Sequence, residues 1–95
     1  MTEAATNFSD NTAHHRFELI EEGDTSFANY RGDPQELHIT HVETPVAARG
    51  RGTAGRLMQA IVDHARATGI KLVPRCPYAV AWFARHQDTV DVLSS

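Results

Sequence analysis

One amphipathic helix, which starts directly after a turn rich in glycine and arginine, constrains the fold of this chain more than any other feature. The turn reads Arg49-Gly50-Arg51-Gly52. Apolar residues then recur at helical spacing and make a single stripe, so one side of the helix must be buried. Gly69 ends the pattern, as glycine commonly does just beyond a helix. The stripe consists of Ala54, Leu57, Met58, Ile61, Val62 and Ala65.

Strand patterns precede the helix. We predict strands beginning at Arg16 and covering residues 26–30 and 36–42, separated by turns at residues 21–24 and 31–34. These strands are expected to form an antiparallel meander. In the third of them the period of two predicts that Leu37, Ile39 and His41 share one face.

After the helix, residues 70–73 predict a short apolar strand and residues 78–86 a second helix that is rich in aromatic residues. A strand, a crossover helix and another strand form a βαβ unit, so the last strand is expected to lie parallel to the third. The predicted class is therefore α/β, with antiparallel N-terminal strands, one βαβ unit and a C-terminal helix.

The chain of 95 residues has room for one domain. Residues 1–13 are polar, with Phe8 as the only large apolar residue, and predict a flexible tail. Residues 14–95 are predicted to form the compact domain.

Charge and composition exclude several classes of function. A net charge of -3 argues against a nucleic-acid-binding protein. Arg49, Arg51 and Arg56 nevertheless make a local positive patch, which suits a small anionic ligand. The histidines lack metal-ligand spacing, and Cys76 is the only cysteine, so we expect no metal site.

Without a second cysteine there is no internal disulfide, which indicates a reducing compartment. The first residues have neither the basic start nor the apolar run of a signal peptide, and no stretch is long enough to span a membrane. We therefore expect a cytoplasmic protein that does not contact membranes.

The turn has the design of a phosphate cradle. The first backbone N–H groups of a helix have no partner within it, and the helix dipole adds partial positive charge there. Glycine lets a ligand approach this backbone closely, and arginine adds charge-assisted bonds. Gly-Arg-Gly also occurs in turns that bind nothing. On physical grounds alone, a purely structural turn is therefore an alternative.

The sequence resembles the GNAT superfamily of acetyl-CoA-dependent N-acetyltransferases, whose signature is Arg/Gln-x-x-Gly-x-Gly/Ala. It is most similar to a short, single-domain GNAT-like family. The matching segments are HVETP at residues 41–45, RGRGTA at residues 49–54, Gly69, VPRCPY at residues 73–78, and Arg85-His86. Together they cover the chain from Phe17 to its C-terminus.

This resemblance implies a minimal GNAT-like fold in which the two strands flanking the helix splay apart around the thioester of acetyl-CoA. It implies that the turn holds the pyrophosphate and that the end of the third strand bonds the pantetheine arm. The residues implied for cofactor binding are Glu43, Thr44, Arg49, Gly50, Arg51, Gly52, Thr53 and Ala54.

Transfer of an acetyl group to an amine requires a proton acceptor for the amine and a proton donor for the departing thiolate. The resemblance implies a tyrosine donor in the last helix, but Phe83 aligns there. Cys76 is therefore our main catalytic candidate, as nucleophile or acid, and a buried apolar role is its alternative. His41 and Glu43 are two apart on one strand face and are candidate bases. Tyr78 is a second possible donor.

The predicted function is transfer of an acetyl group from acetyl-CoA to an amine, on either a small molecule or a protein side chain. The alternative is a non-catalytic module that binds CoA or acyl-CoA. We expect a monomer or a weak homodimer.

Overall fold

The computed structural model describes residues 7–94, which form one five-stranded sheet with two helices. The strands lie in chain order, and only the last pair, β4 and β5, is parallel. Helix α1 (Thr53–Thr68) connects β4 to β5, and α2 (Pro77–Arg85) follows β5. The predicted α/β class is confirmed. The strands are β1 Phe8–Asn11, β2 Arg16–Glu21, β3 Asp24–Asp33, β4 Glu36–Glu43 and β5 Lys71–Pro74.

Strand β1 lies inside the segment that was predicted to be a flexible tail. Phe8 pairs with Leu19 and stacks on Phe17 with ring centroids 5.8 Å apart. The hydroxyl of Tyr30 donates a hydrogen bond of 2.6 Å to Asp10. The tail prediction is therefore wrong for residues 8–11, because their partners are distant in sequence. Residues 1–6 of the predicted tail lie outside the described residues.

The β2–β3 hairpin has the predicted turn at residues 21–24. Glu22 and Gly23 have φ angles of 53° and 82°, and positive φ at both central positions is what a type I′ hairpin turn requires. The second predicted turn is displaced, because β3 continues to Asp33. The carboxylate of Asp33 accepts the backbone N–H groups of Gln35 and Glu36, each at 2.9 Å, and so forms the turn there.

A β-bulge in β4 changes which side chains point toward the helices. Asn29 pairs with His41 and Tyr30 pairs with Ile39, so Thr40 is an extra residue in β4. Leu37 and Ile39 are buried, but His41 is exposed. The prediction that His41 shares their face is wrong, because the bulge shifts the alternation by one residue.

Strands β4 and β5 separate after four paired residues. The last pair is Ile39 with Pro74. The carbonyl oxygen of Ile39 then accepts the N–H groups of both Arg75 and Cys76, at 2.9 and 3.2 Å. Beyond this point β4 continues to Glu43 without β5, which confirms the predicted splayed parallel pair.

Both helices pack on one face of the sheet. Helix α1 contacts β2 and β3, α2 contacts β4 and β5, and the two helices touch. Their buried residues form one core with Phe17, Ala28 and Ile39. Neither helix reaches the length and hydropathy that crossing a membrane requires in the part of the chain that the structure describes.

Candidate functional site

The glycine–arginine turn leads into α1 as predicted. Gly50 and Gly52 have φ angles of 83° and 78°, in the left-handed region that favours glycine. Within residues 7–94, no side chain caps the start of α1, so its first N–H groups are not covered by a capping hydroxyl or carboxylate. A Cβ added to Gly50 would meet nothing within 4 Å, which shows that this part of the turn is open. Such an open helix start is suited to an anion.

The arginines around the turn are engaged with other groups. Arg49 Nε donates to the carbonyl oxygen of Thr44 at 3.1 Å. Arg51 Nη1 lies 3.0 Å from the Glu22 carboxylate at the tip of the β2–β3 hairpin. Arg56 binds Glu21 through Nε and Nη2, each at 2.8 Å. These hydrogen bonds from Arg56 lower the pKa of Glu21 below its usual range, although burial acts in the opposite direction. The predicted positive patch is therefore partly neutralised by the hairpin.

A small cleft of about 160 Å³ joins the turn to the end of β4 and the start of α2. It brings together most of the residues implied for cofactor binding, but Glu43 and Arg51 do not line it. The lining residues are Thr44, Ala48, Arg49, Gly50, Gly52, Thr53, Ala54, Gly55 and Tyr78.

Two buried hydroxyl groups have no hydrogen-bond partner among the described residues, namely Thr44 Oγ1 and Ser26 Oγ. Ser26 lies on β3, and the register that pairs Phe27 with Glu43 brings Ser26 level with Thr44. An unpaired buried hydroxyl is energetically unfavourable, so each one calls for an explanation. Thr44 lines the cleft, so a ligand bound there would lie beside a residue whose hydroxyl lacks a partner.

Cys76 lies where β4 and β5 separate, and it is the N-cap residue of α2. It is buried, with 8% of its surface exposed, and its Sγ accepts the N–H of Ala79 at 3.4 Å. Pro77 occupies the first helical position, where its missing N–H is not needed. The thiol thus has a local structural role, because it caps the helix. Cys76 is not among the residues that line the cleft.

His41 and Glu43 form a pair on the sheet face opposite α1 and α2. Nε2 of His41 lies 2.9 Å from Oε1 of Glu43, which confirms that the two side chains share a face. About half of each side chain is exposed, at 54% and 51%. The ring of Phe27 lies beside His41, with centroids 6.2 Å apart. This pair is accessible to a solvent-borne amine, and it lies one residue before Thr44.

On sequence grounds Tyr78 is only a second possible proton donor. It lines the same cleft as Thr44 and the turn. Burial raises the pKa of the Tyr78 phenol, and nearby Arg85 lowers it by a smaller amount. The phenol is therefore protonated at neutral pH. Phe83, which aligns with the expected tyrosine, is buried in the core and has no proton to donate.

A larger groove of about 480 Å³ lies elsewhere, between α1 and the outer strands. Phe8, Leu19 and Ala60 form its apolar floor, and Asp63 and His64 lie at its rim. This groove is larger than the cleft, although a groove of about 530 Å³ beside Tyr30 and Thr40 is larger still. We assign the site to the smaller cleft because the open helix start and the unpaired Thr44 hydroxyl are there.

Comparisons with known proteins agree with the α/β fold described above. The chain is similar over its whole length to a solution NMR structure from Staphylococcus aureus, described as "a GCN5-like putative N-acetyltransferase". The TM-score is 0.65 with 22% sequence identity, and the match covers 92% of that protein. The search of curated proteins finds no match. The sequence model described as "GCN5-related N-acetyl-transferase" matches residues 16–92, which is most of the chain. This chain therefore belongs to the GCN5-related N-acetyltransferase family.

Proposed function

We propose that this protein binds acetyl-CoA at the cleft beside α1 and transfers the acetyl group to an amine. The observation that carries the proposal is the unpaired Thr44 hydroxyl, buried next to an open, uncapped helix start. A diphosphate bound at residues 49–54 would accept hydrogen bonds from the turn, and the adjoining chain of the ligand would reach Thr44. Acetyl-CoA supplies an activated thioester when it is bound, and family membership supports this choice of cofactor.

The chain contains groups for both proton transfers that the reaction needs. The His41–Glu43 pair is exposed and takes the proton from the attacking amine, directly or through water. Tyr78 lines the cleft and is protonated at neutral pH, so it donates the proton to the departing sulfur. Cys76, which lies where β4 and β5 separate, is the candidate nucleophile or acid at the thioester.

The first experiment measures release of free thiol when acetyl-CoA is mixed with a panel of amines. The proposal predicts release above the rate in buffer with at least one amine, and a smaller release with Tyr78→Phe. Binding of CoA with no turnover on any amine would instead support a non-catalytic module. Intact mass after exposure to acetyl-CoA alone tests whether Cys76 gains an acetyl unit.

A further inference from the structure

We propose that Glu22 is a competing ligand for Arg51 and thereby determines how tightly the turn holds a diphosphate. This inference rests on the proposed function, because it concerns the diphosphate that is proposed to bind at the turn containing Arg51. Arg51 lies inside the turn, between the two glycines with positive φ. The Glu22 carboxylate already holds the Nη1 donor of this guanidinium, and its negative charge would repel a phosphate oxygen that approaches Arg51.

The Glu22–Arg51 contact is suited to such an exchange. Arg51 Nη1 and Glu22 Oε1 are 3.0 Å apart, and the exposed fractions of the two side chains are 56% and 78%. Exposed ion pairs contribute little to stability because water screens them and both side chains lose freedom. A diphosphate, whose two phosphate groups together carry more charge than one carboxylate, can therefore replace Glu22. The displaced carboxylate would remain nearby and repel the ligand.

Glu22 has a backbone conformation that is uncommon for glutamate. Its φ of 53° lies in the left-handed region, which asparagine and glycine adopt more readily than glutamate. Asparagine at this first central position of the hairpin turn would be the conformationally favoured choice. Glutamate instead takes up a strained conformation, and from there its carboxylate reaches a guanidinium that is 29 residues away in sequence.

The neighbouring pair, Glu21 with Arg56, differs from this one. Arg56 donates two hydrogen bonds of 2.8 Å to Glu21, which also accepts the Thr53 hydroxyl at 3.2 Å. Three hydrogen bonds on a partly buried carboxylate fix Arg56 in place. A Cβ on Gly52 would lie 3.2 Å from Arg56 Nη1, so this guanidinium lies over the turn. Arg56 is thus held in position, whereas Arg51 is free to exchange its partner.

The test compares Glu22→Asn with Asp24→Asn by measuring affinity for CoA and for inorganic pyrophosphate. Both variants remove one negative charge from the same hairpin, but among the described contacts Arg51 pairs with Glu22 and not with Asp24. We expect Glu22→Asn to bind both ligands about two- to fivefold more tightly than the wild type. The gain should shrink at about 0.5 M salt, where charges are screened. It should also vanish when Arg51 is replaced by Gln in both proteins.

Each other outcome has a distinct meaning. If the wild type binds CoA and Glu22→Asn binds it equally or less tightly, Glu22 does not compete and the inference fails alone. An equal gain in Asp24→Asn would assign the effect to net charge and would also overturn the inference. If the wild-type protein binds neither CoA nor pyrophosphate, the proposed function and the inference fail together.

Discussion

The Sγ atom of Cys76 accepts the backbone N–H of Ala79, so the only thiol of this protein caps the helix that follows it. Two different substitutions are therefore needed to distinguish a structural role of Cys76 from a chemical one. Cys76→Ser keeps a capping atom, whereas Cys76→Ala removes it and should lower the free energy of unfolding by about 1 kcal/mol.

For activity we expect both Cys76 variants to release thiol from acetyl-CoA at least about tenfold more slowly than the wild type, a loss of roughly 1.4 kcal/mol or more in transition-state stabilisation. Urea unfolding and thiol-release kinetics on the same samples provide the comparison. Turnover of Cys76→Ser at the wild-type rate would leave Cys76 with its capping role alone.

Replacement of Thr44 by Val tests the hydroxyl that lacks a partner. Valine has nearly the same shape without the polar group, so the free protein should be equally stable or more stable, by up to about 1 kcal/mol. CoA affinity should nevertheless fall, because the ligand loses a hydrogen-bond partner in the cleft. Thermal unfolding and calorimetric titration measure the two effects.

Ser26→Ala is the matched control for this substitution. It also removes a buried hydroxyl without a partner, but Ser26 does not line the cleft. Its CoA affinity should equal that of the wild type. Equal weakening by both substitutions would mean that the loss comes from repacking rather than from a ligand contact.

Gly52→Glu and Gly69→Glu test the turn at opposite ends of the same helix. The two glycines have φ angles of 78° and 80°, so the backbone strain of an added side chain is similar at both, about 1 kcal/mol. A Cβ at Gly52 would in addition lie 3.2 Å from Arg56 Nη1, whereas a Cβ at Gly69 would meet no described atom within 4 Å. Only Gly52→Glu brings a carboxylate to the proposed diphosphate position. We expect both variants to lose thermal stability, with CoA binding abolished only in Gly52→Glu. Retention of CoA binding by Gly52→Glu would show that the ligand lies elsewhere.

The lowered pKa of Glu18 leads us to predict that the stability of the protein depends on pH. Hydrogen bonds from Arg16, at 2.6 Å, and then from Asn11, at 3.1 Å, hold its pKa below the usual 4.5. A carboxyl whose pKa is depressed by folding stabilises the protein above its unfolded pKa. That stability is lost as the pH falls through the lower, folded pKa.

Glu18→Gln should therefore unfold more easily than the wild type at pH 7, by at most about 1 kcal/mol after solvent screening. The difference should close as the pH falls below about 4.5. Urea unfolding at a series of pH values measures it. A constant difference across that range would mean that ionisation of Glu18 does not contribute.

Much of the fold could be predicted because its signals are local. The spacing of its apolar residues and the glycine after them identify α1. The strand predicted on each side of α1 then indicates a crossover from β4 to β5. Strand β1 could not be predicted in this way. Phe8 is one apolar residue among polar ones, and the strand depends on Leu19 and Tyr30, which lie farther along the chain.

The site was predicted less completely for the same physical reason. The turn is contiguous in sequence, so its residues were identified together. The face on which His41 lies depends on a bulge at Thr40, and the place of Tyr78 in the cleft depends on how α2 packs. The contact between Arg51 and Glu22 joins two turns and has no signature in either one.

The central claim, that the turn at residues 49–54 binds the diphosphate of CoA, is tested most directly by titrating CoA into the ¹⁵N-labelled wild-type protein. We predict that the largest changes in backbone amide chemical shift fall in this turn and at Thr44. Changes centred on the groove between Phe8 and His64, or no change at millimolar CoA, would contradict the claim.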